Sequence, residues 1–181
     1  MSDRPVFIAL GSNLSSSVGD RLATLVAALE RLDATPGLAV SQASSAWETE
    51  AIGPPQPRYL NAAAELRTSL TTRQVLDRSL DVERSLGRDR TSEERWGARP
   101  IDIDLIFDGE SVIDEPGLAV PHPSVAERAF VLAPLAEIAP DLCDPRSGRT
   151  VRSLLAQLST DRVSRYGSIP FCTRLTPGNH P

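Results

Sequence analysis

Six segments between residues 5 and 107 show strand or helix periodicity, in the order strand, helix, strand, strand, helix, strand. The predicted strands are 5–10, 38–45, 59–68 and 101–107, and the predicted helices begin near Asp20 and Thr71. This order is that of the ferredoxin-like βαββαβ motif. We therefore expect an α+β fold in which an antiparallel sheet is flanked by helices, with extra strands and helices on the C-terminal side.

Both predicted helices have recognisable ends. In the first, Leu22, Leu25 and Leu29 are spaced three and four residues apart, which places them on one face. The second begins with Thr71 and carries Gln74 three residues later, a capping-box pair that satisfies two backbone amides. Pro36-Gly37 and Gly87 are expected to end the two helices.

The signals beyond residue 107 are shorter. We expect strands at 112–113 and 118–120, a helix within 124–139 and a last helix over about 151–158. Segments 47–58 and 88–99 are interpreted as loops, the first rich in proline and the second in charge. The organisation predicted is one domain over 1–160 and a C-terminal tail over 161–181, disordered in part.

Composition excludes several classes of protein. The net charge of −5 argues against nucleic-acid binding. No apolar run reaches the ~20 residues of a membrane span, and we expect no secretion signal because only a short apolar run follows Arg4. Cys143 and Cys172 have no paired spacing, which favours a reducing compartment, so we expect a cytoplasmic monomer. All 19 basic residues are arginine, which excludes a Walker-type phosphate loop because that loop needs a lysine.

The segment from Ile101 to Phe107 contains two aspartates, Asp102 and Asp104, in a strand pattern. Because strand side chains alternate between faces, both carboxylates are expected on one face, and Ile101, Ile103 and Leu105 on the other. Carboxylate oxygens suit Mg²⁺, which is often held by one or two carboxylates together with substrate phosphates. The alternative is an ordinary solvated strand face, although aspartate is unfavourable within strands.

An arginine cluster directly precedes these aspartates, with Arg88, Arg90, Arg95 and Arg99 within twelve residues. Guanidinium groups bind phosphate oxygens bidentately, so a polyphosphate next to a metal-binding pair would be held from two sides. The alternative is a charged, solvated loop in which Asp89, Glu93 and Glu94 pair with the arginines.

Other single residues permit two readings. Trp96 in the charged loop either packs on the core or stacks on a planar ligand, and Asn61 either recognises the amide edge of a heterocycle or bonds a neighbouring loop. His122 and Arg128 either contact a ligand or form structural hydrogen bonds and ion pairs.

Taken together, these residues resemble the 6-hydroxymethyl-7,8-dihydropterin pyrophosphokinase family of folate biosynthesis. The resemblance covers residues 5 to about 158 and rests on five stretches of sequence: 9–14, 59–63, Glu83 with Gly87-Arg88, 95–104, and 120–123 with 128–132. The 95–104 stretch, Arg-Trp-Gly-Ala-Arg-Pro-Ile-Asp-Ile-Asp, is the most specific.

The resemblance implies a catalytic domain that moves diphosphate from ATP to the hydroxymethyl group of the pterin and releases AMP. It implies that Asp102 and Asp104 bind two Mg²⁺ ions, and that Arg88 and Arg99 act in catalysis as well as in ATP binding. The remaining ATP contacts it implies are Glu83, His122 and Arg128. For the pterin it implies Thr49, Ile52, Gly53, Tyr59, Asn61, Trp96 and Phe130.

Some positions depart from the family pattern. Ala51 and Ala98 stand where proline is frequent, and Pro100 where threonine or asparagine is usual. Gly117 occupies a position that is arginine in some members, so no anion contact is expected there. None of these departures removes a proposed metal ligand. The alternatives are another metal-dependent nucleotidyl or phosphoryl transferase, or a non-catalytic ligand-binding module on a ferredoxin-like fold.

Overall fold

The protein is described by a computed structural model covering residues 3–51, 53–91 and 97–172. The strands are β1 Arg4–Ser12, β2 Leu38–Ala43, β3 Ala46–Thr49, β4 Tyr59–Thr68, β5 Asp102–Asp108, β6 Ile113–Glu115, β7 Leu118–Val120 and β8 Val163–Gly167. The helices are α1 Arg21–Asp33, α2 Thr72–Ser85, α3 Ala129–Ile138 and α4 Val151–Leu155, with a 3₁₀ turn at Val125–Glu127.

The main sheet confirms the predicted ferredoxin-like arrangement. Its strands lie in the order β5-β1-β4-β3-β8, and β2 pairs with the same edge of β4 as β3 does. All of these pairings are antiparallel. The unit β1-α1-β2 is split by β4, and the unit β4-α2-β5 is split by β1, which is the interleaving that defines the motif.

The sheet separates two apolar cores. One face, including Ile8, Leu10 and Ile103, packs with Leu25 of α1 and Val75 of α2. The other face packs with α3 and α4 through a second cluster, in which Phe7, Ala63, Phe107, Leu132 and Leu154 are buried. Strand alternation divides β1 and the first part of β5 between the first core and the face that α3 partly covers. Ile106 and Phe107, next to an irregularity in the β1–β5 ladder, both lie in the second core.

The two main helices begin where the sequence predicts. Asp20 caps α1 by accepting a hydrogen bond from the Ala23 amide at 2.9 Å. Thr71 and Gln74 form the expected capping box at the start of α2. Gly87 follows α2 with a φ of 92°, a left-handed conformation that glycine adopts without a steric penalty.

Two segments differ from expectation. Trp47 was expected in a loop, but it lies in β3, where it pairs with Asn61 of β4. The Ser44 hydroxyl accepts a hydrogen bond from the Ala63 amide at 2.9 Å, so the ladder continues across the break between β2 and β3.

The segment expected to be a C-terminal tail contains β8, which pairs with β3 and extends the main sheet. Part of 161–181 is therefore integrated in the fold, while the division at residue 160 stays a prediction. Among the described residues, no helix is long and apolar enough to cross a membrane.

Candidate active site

A cavity of about 480 Å³ opens on the second face of the sheet, beside the start of α3. Its floor is formed by small side chains of β1, Ala9 and Gly11, between β4 on one side and β5 on the other. This volume lies within the usual range of small-molecule sites.

Both aspartates of β5 line this cavity, which confirms that they share a face. Asp102 lies opposite Gly11 and Asp104 lies opposite Ala9 in the β1–β5 ladder. Ile101 and Ile103, which alternate with them, are buried in the first core. The strand pleat therefore produces the predicted arrangement.

Gly11 separates the carboxylates from the polar groups of β4. A methyl group at this position would lie 3.2 Å from Asn61 Oδ1 and 3.6 Å from Tyr59 Cδ1. Only glycine leaves this part of the floor open, so a flat ligand could reach across β1.

Two arginines contact the Asp102 carboxylate. Arg88 donates to its Oδ1 at 2.5 Å, and Arg99 donates to its Oδ2 at 3.2 Å. The Arg88 side chain is only 3% exposed. Such charge-assisted contacts fix the orientation of both guanidinium groups along one edge of the cavity.

Glu83 lies behind these arginines and does not line the cavity. Its carboxylate accepts from Arg88 at 2.8 Å, from Arg90 at 2.7 Å and from the Ile103 amide at 2.7 Å. Burial raises the pKa of Glu83, and Arg88 acts in the opposite direction. Glu83 is thus a buried carboxylate that holds Arg88 and Arg90 in place. Its expected contact with a nucleotide stays a prediction.

Asp104 is the second carboxylate of the pair. Arg128 Nη1 is 3.6 Å and His122 Nε2 is 4.0 Å from Asp104 Oδ2. Burial, followed by the negative charge of Asp102, raises the pKa of Asp104 to about 7. A site that disfavours the second negative charge to this extent would be relieved by a bound cation.

The donor set fits Mg²⁺ held jointly with a ligand. Two carboxylates project from one strand, and among the described residues no group of three or more acidic, histidine or cysteine side chains could hold a metal ion. Mg²⁺ commonly accepts such a partial site because substrate phosphates and water complete its coordination. Asp102 and Asp104 are therefore suitable ligands for an ion that arrives with a polyphosphate.

His122 has a defined hydrogen-bonding pattern. Its Nδ1 accepts from the Ser124 amide at 3.1 Å, so in the neutral ring the proton is on Nε2. Burial lowers the pKa of His122, and the Arg128 charge lowers it further. At neutral pH the ring therefore offers an uncharged N–H donor on the cavity side.

The opposite end of the cavity is amide and aromatic in character. Asn61 Nδ2 donates to Thr49 Oγ1 at 2.8 Å, and Tyr59 donates to the Gly97 carbonyl oxygen at 3.4 Å. Burial raises the pKa of Tyr59, which therefore stays protonated at neutral pH. The Phe130 ring lies 5.7 Å from the Arg128 guanidinium carbon, at the junction with the charged end.

Most of the residues that the sequence singled out meet in this one cavity. Those that line it are Thr49, Tyr59, Asn61, Arg88, Arg99, Asp102, Asp104, His122, Arg128 and Phe130. Gly53 is exposed and does not line the cavity. Ile52 and Trp96 lie outside the described residues. The ligand roles of all these residues stay predictions.

Sequence reasoning assigned no individual role to some other residues of the cavity. Arg90 lines it, and its position in the arginine cluster was the available signal. Glu50 and Glu127 also line it, but isolated acidic residues in loops and turns give no signal. Asn13 lies in the 9–14 stretch of the resemblance but was given no role of its own, yet it is 98% buried beside the site, and only tertiary contacts reveal this.

The two ends of the cavity suit different parts of a reaction. The charged end, with two carboxylates and four guanidinium groups, suits a polyphosphate and its metal. The amide and aromatic end suits a flat heterocycle with hydrogen-bonding edges. The junction over Gly11 is where the two ligands would meet.

Comparisons with known proteins give the same picture. Residues 7–140 match the model of a family described as 7,8-dihydro-6-hydroxymethylpterin-pyrophosphokinase, or HPPK. A curated relative from Methylorubrum extorquens is 46% identical over 161 residues, which cover 88% of this chain and 96% of the relative. One from Synechocystis is 42% identical over 150 residues, or 83% and 76% of the two chains. Both are named 2-amino-4-hydroxy-6-hydroxymethyldihydropteridine pyrophosphokinase.

Solved structures show the same fold at low sequence identity. An HPPK-DHPS crystallised with substrates matches with a TM-score of 0.67 at 12% identity, over 87% of this chain. The chain spans 43% of the length of that protein, so the likeness concerns one part of a longer chain.

Proposed function

Because the chain belongs to the 7,8-dihydro-6-hydroxymethylpterin-pyrophosphokinase family, we propose that it transfers diphosphate from ATP to the hydroxymethyl group of 6-hydroxymethyl-7,8-dihydropterin. The products are AMP and the pterin diphosphate, an intermediate of tetrahydrofolate biosynthesis. The observation that carries the residue assignments is the cavity itself, in which a carboxylate and guanidinium end meets an amide and aromatic end across Gly11.

ATP would occupy the charged end. Arg88 and Arg99 already flank Asp102, and Arg128 and His122 flank Asp104, so donors lie on both sides of the carboxylate pair. Guanidinium forks bind phosphate oxygens bidentately, and the neutral His122 ring adds one N–H donor. Arg90, which lines the same end, is a further candidate for a phosphate contact.

Asp102 and Asp104 would hold Mg²⁺, and we propose the two ions that the sequence resemblance implies. When bound, Mg²⁺ neutralises the phosphate charge that would otherwise repel an attacking oxygen. A bound cation would favour the ionised form of Asp104, whose pKa is raised by burial and by the charge of Asp102.

The pterin would occupy the other end. Because the Asn61 amide donates to Thr49 through Nδ2, its Oδ1 remains available to accept from an amino or ring N–H group of the ligand. Tyr59 and Phe130 offer ring surfaces to a planar bicycle. Ile52, Gly53 and Trp96 stay predicted pterin contacts.

Diphosphate transfer depends on the alignment of the two substrates more than on a covalent intermediate with the protein. The hydroxymethyl oxygen forms a bond to the β-phosphorus of ATP, the bond from that phosphorus to the α,β-bridging oxygen breaks, and AMP leaves with the electron pair. The hydroxyl proton passes to solvent or to a nearby carboxylate. The arginines that Glu83 holds in place stabilise the charge that grows on the phosphate oxygens.

Product analysis tests this proposal. We expect the protein with ATP, Mg²⁺ and the hydroxymethyl dihydropterin to release AMP and the pterin diphosphate, separable by chromatography. Asp102→Asn and Asp104→Asn are expected to lower turnover by about a thousandfold or more. Asp141→Asn is the matched control, because that side chain is 77% exposed and lies outside the cavity.

Other outcomes would identify the competing functions. Release of inorganic diphosphate instead of AMP would indicate a nucleotidyl transferase. Calorimetry without any Mg²⁺-dependent nucleotide binding would indicate a non-catalytic ligand-binding module. Full activity of either aspartate variant would contradict the metal assignment.

The expected monomeric state and cytoplasmic location stay predictions. Light scattering coupled to size-exclusion chromatography, with and without ATP and Mg²⁺, tests the first of them.

A further inference from the structure

Asn13 occupies a buried position between the two ends of the cavity. It follows β1 directly, and β1 places Gly11 opposite both Asn61 and Asp102. The Asn13 side chain is almost fully buried, yet it does not line the cavity. A buried side-chain amide at such a place must form its hydrogen bonds with neighbouring residues.

Every hydrogen-bonding group of the Asn13 side chain has a partner. Its Oδ1 accepts from the Arg99 amide at 2.8 Å. Its Nδ2 donates to Gln56 Oε1 at 2.9 Å and to the Pro57 carbonyl oxygen at 3.2 Å. Rotating the amide by 180° would face Oδ1 toward two acceptors, so the network fixes a single orientation.

Backbone hydrogen bonds add to the connection between Asn13 and Arg99. The amides of Asn13 and Leu14 both donate to the Arg99 carbonyl oxygen, at 3.2 and 3.3 Å. These bonds do not depend on the Asn13 side chain, so they remain when it is replaced. The bonds to Gln56 and Pro57, by contrast, are made by the Asn13 side chain.

The partners of Asn13 lead to opposite ends of the cavity, although Gln56 and Pro57 do not themselves line it. Arg99 reaches Asp102 at the charged end. Gln56 and Pro57 immediately precede Arg58 and Tyr59, and Tyr59 lines the end assigned to the pterin. One buried amide therefore connects the chain next to Tyr59 with the chain that presents Arg99.

We propose that Asn13 is a positioning residue that couples the pterin-side segment at Gln56 and Pro57 to the placement of Arg99. The role rests on the proposed diphosphate transfer. It acts through Arg99, since Asn13 contacts neither carboxylate of the metal pair. No smaller or charged residue reproduces the pattern, because serine is too short and aspartate has no donors.

The coupling is measurable without substrate. The Arg99 amide donates to the Asn13 side chain, so its hydrogen exchange reports how firmly that side chain is held. In the ligand-free full chain, Gln56→Ala is expected to speed exchange of this amide by roughly three- to tenfold. Gln157→Ala, which changes an exposed glutamine in the turn after α4, is the matched control and should leave the amide unchanged.

Kinetics separates positioning from support of the fold. Asn13→Ala is expected to lower kcat by about tenfold or more, while binding of a non-hydrolysable ATP analogue with Mg²⁺ changes less than about twofold. In the Asn13→Ala background, Gln56→Ala should have no further effect on kcat, because its partner is already absent. Asn13→Asp, which keeps the acceptor but loses both donors, should resemble Gln56→Ala more than wild type.

Three results would overturn the coupling. One is an Arg99 amide that exchanges at the wild-type rate in Gln56→Ala. The others are fully additive effects on kcat, and a lowered melting temperature with unchanged kcat per folded molecule. Because amide exchange is read without substrate, a wild-type protein that made no AMP would contradict the proposed function alone.

Discussion

The Asn61 amide is oriented with its Nδ2 toward Thr49, and that nitrogen donates to Thr49 Oγ1 at 2.8 Å. The orientation decides which polar atom an incoming heterocycle meets. A threonine that holds an amide in this way affects ligand binding even where it does not itself touch the ligand.

Thr49→Val keeps the size of the side chain and removes this acceptor. We expect KM for the pterin to rise by about tenfold with kcat nearly unchanged, since about one hydrogen bond of ground-state binding is lost. Thr49→Ser should restore the wild-type value. If Thr49→Val still raised KM in an Asn61→Ala background, Thr49 would act by a direct contact instead.

We expect Asp104 to make the magnesium-free protein sensitive to pH. Its folded pKa is about 7, and the ordinary value in an unfolded chain is 3.8, so the folded state binds more protons between these values. The stability that this group contributes is therefore present at low pH and lost as the pH rises from about 4 through 7.

We expect chemical denaturation without Mg²⁺ to show this loss as a difference between wild type and Asp104→Asn. Relative to wild type, the variant should gain stability as the pH rises toward 8. A difference that stayed constant from pH 5 to 8 would contradict the assignment of this pKa.

At the scale of elements, the first strand and the ends of β5 and α2 are joined by a buried carboxylate. Asp108 is 1% exposed and accepts from Arg4 at 2.6 and 2.9 Å and from Thr72 at 2.5 Å. This cluster lies at the end of β5 away from the cavity, and it holds in register the strands that carry Gly11 and Asp102.

Asp108→Ala is expected to lower the free energy of unfolding by about 3 kcal/mol, because it removes the buried carboxylate that accepts from both Arg4 and Thr72. Glu115→Ala, which removes an exposed ion pair with Arg73, should change it by less than about 1 kcal/mol. Denaturant titration measures both values. An equal effect of the two variants would show that burial of the carboxylate is not what matters.

At the scale of the whole molecule, β8 closes the sheet against β3, the strand that carries Thr49. Arg165 of β8 donates to Ser45 Oγ at 2.6 Å, and Ser45 in turn donates to Glu137 of α3 at 2.7 Å. Trp47 donates to the same carboxylate at 3.0 Å. The C-terminal strand is thus connected to the element that borders the site.

A chain that ends at Thr160 lacks β8, and we expect its melting temperature to fall by about 5–10 °C, with weaker pterin binding. A chain that ends at Cys172 keeps every contact of β8 described above and should stay within about 2 °C of the full chain. Equal melting temperatures for the two truncated chains would mean that β8 adds nothing to the sheet.

Local rules were sufficient for much of the fold. Thr71 and Gln74 identified the start of α2 because a capping box involves only neighbouring residues. The interleaved strand order followed from the succession of elements, and β4 was predicted at its observed bounds, 59–68. Trp47 was assigned to a loop because the alternation of a four-residue strand is too short to be recognised, and the prolines that follow it favour a loop.

The sequence by itself determined that Asp102 and Asp104 would share a face, since the alternation of a strand is a local property of the backbone. It also determined the chemical types present: carboxylates, guanidinium groups, an amide and aromatic rings. Tertiary structure alone decided that Glu83 lies behind the arginines and that β8 joins β3. It also decided that Asn13 connects Gln56 with Arg99, which follow it by 43 and 86 positions in the chain. These contacts join residues far apart in the chain, and their geometry exists only after the strands have paired and the side chains have packed.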